Sequence, residues 1–120
     1  MFVAGRSLTP IDFGGLRILD YTAGRELGSS LAVIDVPPGA AHAEAWSKRS
    51  DKYYLVTAGT IRFALSGEER ELGAGDFCLV PRGTRFRYAN SSPAPTRLVL
   101  VHTPSFDLAS EVFVEPPTVP

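Results

Sequence analysis

Residues 39–59 read GAAHAEAWSKRSDKYYLVTAG, and residues 75–90 read GDFCLVPRGTRFRYAN. In both stretches a turn former stands wherever an apolar run stops: Gly39, Gly59, Gly75, Pro81 and Gly83, with Asn90 closing the second. Glycine admits positive φ, and proline fixes φ and removes a ladder donor, so these positions punctuate strands rather than helices. Working outward, short apolar runs predict strands at 16–21, 30–36, 41–46, 52–57, 60–65, 69–72, 76–80, 84–89 and 97–102. Pro37-Pro38-Gly39 separates two of them, and Ser66-Gly67 reads as a hairpin turn. No window sustains a helical period, and strands at this spacing describe an all-β sandwich or barrel.

Composition narrows the class. The chain has 120 residues, 44% hydrophobic and 21% charged, which suits one globular domain over 1–120. A net charge of −1 offers no excess of basic side chains to nucleic acid or an anionic membrane surface, so neither partner is expected. The lone cysteine, Cys78, has no partner for an internal disulfide and sits between Phe77 and Leu79, where a packed, inert thiol is expected. The opening MFVAGRSLTP lacks the apolar stretch of a signal peptide, and no segment has the length of a membrane span. The expectation is a cytoplasmic protein. The closing EPPTVP, residues 115–120, reads as a proline-rich tail, and residues 1–28 as an N-terminal strand arm.

The two stretches resemble the paired motifs of the cupin superfamily, G-x5-H-x-H-x3-4-E-x6-G and G-x5-P-x-G-x2-H-x3-N. The framework falls on Gly39, Gly59, Gly75, Pro81, Gly83 and Asn90. The fifteen residues between Gly59 and Gly75, the step YYLVTAGTIRFAL and the exit HTPSFD match small bacterial cupins. The resemblance implies a double-stranded β-helix, or jelly-roll barrel. It also implies a metal site of three imidazoles and a carboxylate, but those positions hold Ala45, Ser47, Lys52 and Phe86. A methyl, a hydroxyl, an ammonium and a phenyl ring are not ligands for a transition metal, and the ammonium repels one. No cofactor is therefore expected. The alternative is a divalent transition metal held by His42 and Glu44, with His102 supplying a second imidazole, if strand 41–46 slips by one residue. Without that slip, His42 and Glu44 are expected on a solvated rim.

The family's ligand positions face the barrel interior, so the resemblance places Ala45, Ser47, Lys52 and Phe86 around a cavity. Strand alternation adds Tyr54, Val56 and Tyr88. Such an apolar, aromatic chamber with few polar groups suits a small organic molecule. Lys52 is a candidate anchor for a carboxylate, or a base or Schiff-base amine if burial depresses its pKa. Equally, its stem can run to the mouth and meet Asp51 or water. Tyr54 and Tyr88 are candidate acids or hydrogen-bond donors. His102 and His42 are the only imidazoles, so proton transfer near neutral pH must consider them. Arg82, Arg85 and Arg87 lie near Glu68, Glu69 and Glu71 and read as mixed-charge surface. Trp46 has the parity of an outward residue, which points to a homodimer interface.

Three functions remain open. One is a metal-independent cupin binding a small molecule, perhaps a carboxylate, for sensing or for lyase, isomerase or cyclase chemistry through Lys52, Tyr54 and Tyr88. The second is a metal-dependent, dioxygenase-like enzyme using His42, Glu44 and His102. The third is a structural dimer whose barrel is filled by Phe86.

Overall fold

Turn residues set the frame. Gly39 donates its N–H to Asn90 O at 2.8 Å and Asn90 returns a bond to Ala40 O, so the start of the first motif is tied to the end of the second. Gly75 donates to Val56 O and Gly83 to Ser47 O, both at 2.8 Å. The fixed spacing of the motifs is thus a set of cross-chain backbone bonds. Gly59 is the least replaceable: it has φ +78°, and a Cβ there would lie 2.5 Å from Pro95 O. Asn90 is buried and fully used, donating to Val36 O and Ala94 O while its oxygen accepts from Ser92.

A computed structural model describes residues 1–114 of the chain; the expected tail at 115–120 lies outside the described residues. The strands are β1 (Ile11–Phe13), β2 (Leu16–Asp20), β3 (Ser30–Val36), β4 (Ala41–Ser47), β5 (Asp51–Ala58) and β6 (Thr60–Leu65). They continue as β7 (Glu68–Gly73), β8 (Phe77–Val80), β9 (Phe86–Ala89), β10 (Thr96–Thr103) and β11 (Glu111–Phe113). All pairings are antiparallel. A six-stranded sheet runs β1-β2-β3-β10-β5-β8 and a five-stranded sheet runs β11-β4-β9-β6-β7, the two faces of the expected all-β jelly roll. The nine expected strands are present with ends shifted by at most two residues; β1 falls within the expected N-terminal arm without having been singled out, and β11 was not expected, both being too short to show an alternation.

The core lies between the sheets. Strand β10 alternates cleanly, with Leu98, Leu100 and His102 inside and Arg97, Val99 and Val101 outside. Val36, Val56, Ile61, Val80 and Leu98 are almost fully buried, each removal from water contributing about 1.5–3 kcal/mol. Phe63, Phe86, Tyr54 and Tyr88 stack and edge against one another at 5.1–6.4 Å and fill the centre. No helix among the described residues is long and apolar enough to cross a membrane.

Candidate functional site

Strand register brings the polar residues together. His102 stands directly opposite Lys52 in the β10–β5 pairing, and both side chains point between the sheets. The Lys52 ammonium donates to His102 Nε2 at 3.0 Å and makes a shorter contact with Glu111 Oε1. Glu111 arrives on β11, where pairing with Ser47 turns it inward and pairing of Phe113 with Ala45 turns that ring inward as well. The ion pair is almost wholly shielded, with side-chain exposures of 5% for Lys52 and 7% for Glu111. Lys52 also lies 5.3 Å from the centre of the Phe86 ring.

His42 enters from the facing sheet. The β4–β9 register pairs His42 with Tyr88 and Ala45 with Phe86, an irregular step between them. Such a bulge breaks the alternation, so His42 and Ala45, three apart, both face inward. The imidazole packs against Phe86 at 5.0 Å, Tyr88 at 5.2 Å, Phe13 at 5.7 Å and Phe113 at 6.2 Å. His42 Nδ1 is 2.6 Å from Ala43 O; a carbonyl only accepts, so Nδ1 carries the proton and Nε2 keeps its lone pair.

Burial controls the charges. It pulls His42 below the ordinary histidine value, with the Ala43 carbonyl opposing, so the ring is neutral near pH 7. Burial, reinforced by the neighbouring Lys52 charge, pushes His102 down to about 3, which suits an imidazole accepting from an ammonium. Lys52 is lowered by burial while the Glu111 carboxylate opposes the shift. Both tyrosines are raised by burial, Tyr54 also by Tyr88 and Glu111, so their hydroxyls stay protonated donors. Among the described residues Tyr88 Oη is the one fully buried side-chain polar atom with no hydrogen-bond partner. An unsatisfied buried hydroxyl costs about 1–3 kcal/mol, and a ligand oxygen would recover it.

These groups border a cavity of about 300 Å³ that opens between the sheets. Of the pocket residues expected from sequence, Lys52, Tyr54 and Tyr88 line it. Ala45, Ser47, Val56 and Phe86 are buried behind that lining. Ser47 is occupied as an acceptor for the N–H groups of Arg49 and Ser50. His42 is inside rather than on a solvated rim, because the bulge reverses its parity. Glu44 stays outside, 3.7 Å from Arg85, so it does not join His42 and His102. Lys52 does not reach out to Asp51, whose carboxylate instead accepts from the Arg82 N–H at 2.7 Å. Glu111, Phe13 and Phe113 had no sequence signal, since the segments that carry them lie outside both motifs, and Phe106 entered only as part of the exit HTPSFD, with no role at the site.

The donor set does not fit a divalent metal. The family's ligand positions carry no imidazole or carboxylate, and no cluster of three or more histidine, cysteine, aspartate or glutamate side chains forms among the described residues. The Lys52 ammonium lies between His102 and Glu111, already engaging the two groups an ion would need.

A family model described as "Cupin domain" matches residues 32–102, and the chain belongs to that family. No curated protein matches the sequence. Among solved structures, Streptomyces Pac13, described as a unique nucleoside dehydratase, is 24% identical, covering 95% of this chain and 90% of that one with a TM-score of 0.82. KdgF from Halomonas is 20% identical over 87% of this chain and 94% of its own, with a TM-score of 0.76. A cupin sugar phosphate isomerase from Silicibacter pomeroyi is 18% identical over 86% and 75%, with a TM-score of 0.74. At these identities the likeness speaks for the fold. Family and fold together support small-molecule chemistry or binding.

Proposed function

We propose that this cupin works without a metal and eliminates water from a small β-hydroxy carbonyl compound held in its barrel. One observation carries the reading. His42, neutral and with Nε2 available, stands across a strand pair from Tyr88, whose buried hydroxyl lacks a partner. Elimination needs a base at the α-carbon, a donor for the carbonyl oxygen as charge develops there, and a proton for the departing hydroxide.

The chain supplies each. His42 Nε2 takes the α-proton, and the Tyr88 hydroxyl donates to the carbonyl oxygen. The Lys52 ammonium, fixed by Glu111 and His102, gives a proton to the leaving hydroxyl. The C–H and C–O bonds break, a C=C bond forms and water departs. His42 and Lys52 regain their starting protonation through water when product leaves. Tyr54 packs edge-on against Tyr88 at 5.7 Å and holds that ring in place.

The likeness to a protein described as a nucleoside dehydratase supports elimination as the reaction type. That protein was also solved with uridine in forms carrying a histidine-to-glutamine or a tyrosine-to-phenylalanine change. The test is turnover of β-hydroxy aldehydes and ketones in chelator-treated protein, followed by the absorbance of the conjugated product. Turnover that His42→Gln and Tyr88→Phe each reduce at least a hundredfold, as expected for a positioned acid–base group or oxyanion donor, supports the reading. Undiminished turnover in His42→Gln, or none in the wild type, overturns it.

A further inference from the structure

The cavity has two unlike ends. Its floor carries His42, Lys52, Tyr54, Tyr88, His102 and Glu111. Its mouth carries Ile11, Phe13, Phe106, Leu108 and Phe113, each between 38 and 61% exposed. Three separate segments supply this rim: β1, the loop after β10, and β11 with the 3-10 turn before it. Phe106 packs on His102 at 5.1 Å and Phe113 on Phe13 at 5.7 Å, so the rim is continuous with the reacting end. Among the described residues, the charged side chains lining the cavity are Asp20, Lys52 and Glu111, the last two paired on the floor, and no arginine lines it.

We infer that the substrate is an amphiphile: its hydroxy-carbonyl end reaches the floor, and an aromatic ring or branched alkyl group lodges against the Phe13–Phe106–Phe113 rim. This rests on the elimination reading and adds the substrate class. Among the described residues the rim is apolar and the cavity lining has no unpaired lysine or arginine, so a phosphate ester finds no ion-pair partner there. The rim gives an uncharged ring an apolar seat beside the site, the arrangement of a cavity that binds one end and reacts at the other. The cavity volume is roughly twice that of a site able to hold benzene, enough for a ring and a four-carbon chain.

Matched ligands test this. Binding of 4-hydroxy-2-butanone and 4-hydroxy-4-phenyl-2-butanone is measured by calorimetry, with turnover recorded separately. The phenyl compound is expected to bind about a hundredfold more tightly, within the range of an apolar group filling a pocket. The double variant Phe106→Ser, Phe113→Ser is expected to abolish most of that difference. Equal affinity, preference for a phosphorylated hydroxy ketone, no binding of either ketone, or an unchanged preference in the double variant overturns the inference. Rim-dependent binding without turnover sustains it while refuting the elimination reading; turnover without phenyl preference does the reverse.

Discussion

Replacing Glu111 by glutamine tests the buried Lys52–Glu111 pair, with both side chains under a tenth exposed. Their shape is kept, but the Lys52 ammonium loses the carboxylate that offsets its desolvation. Removing one member of a buried pair costs about 3–5 kcal/mol because the remaining charge is stranded. For a domain of this size that is a drop in Tm of roughly 10–20 °C. The pH dependence supplies a signature. Lys52 already titrates below the ordinary lysine value, so the folded state binds its proton less tightly than the unfolded chain does. Its contribution to stability therefore rises as pH climbs through the folded value toward 10.5, and without Glu111 the folded value falls further. Glu111→Gln should regain part of its lost stability on the alkaline side, where Lys52 discharges. Adding Lys52→Met should restore most of it at pH 7, since no charge is left to strand. Urea denaturation of the wild type, both single variants and the double variant measures the coupling. A loss below about 1 kcal/mol for Glu111→Gln, or a double variant no more stable than that single one, would refute the reasoning.

Tyr88→Phe should separate stability from function: removing an unpartnered buried hydroxyl stabilises the free protein by about 1 kcal/mol while turnover falls, readable as a higher Tm with lower kcat. The turnover profile should lose activity on the acid side only below 6.5, because His42 must be neutral to accept a proton and its pKa is lowered by burial. Stability should decline across the same side: His102 is neutral when folded and titrates near 3, so between about 6.5 and 3 the unfolded chain gains a proton that the folded chain refuses. Thermal melts from pH 7 to 4 measure that slope. Gly59→Ala should cost about 2 kcal/mol or more, since its φ of +78° strains any side chain and the new methyl meets Pro95 O at 2.5 Å; Gly24→Ala, at φ +72° with nothing within 4 Å, should cost less.

Much of the fold was legible because glycine and proline sit at strand ends and the motif spacing encodes backbone bonds such as Gly39 to Asn90. The site was legible only in part. The resemblance placed Lys52 inside and parity added Tyr54 and Tyr88, since β5 and β9 alternate across those positions. Parity failed at His42, where an irregular step in β4 turns two residues of opposite parity to one side, and no residue type announces that step. Glu111 was out of reach for another reason: β11 is three residues long, and its position is fixed by pairing with Ser47, Trp46 and Ala45 more than sixty residues away. The missing imidazoles and the inward Lys52 ammonium were visible, but its engagement by His102 and Glu111 was not.

Proton exchange tests the central claim most directly. A β-hydroxy ketone is incubated in D₂O with chelator-treated protein, and proton NMR follows deuterium entering the α-carbon and loss of the hydroxyl. The account predicts both in the wild type and neither in His42→Gln. Exchange that persists in His42→Gln, or that begins only when a divalent metal is restored, contradicts it.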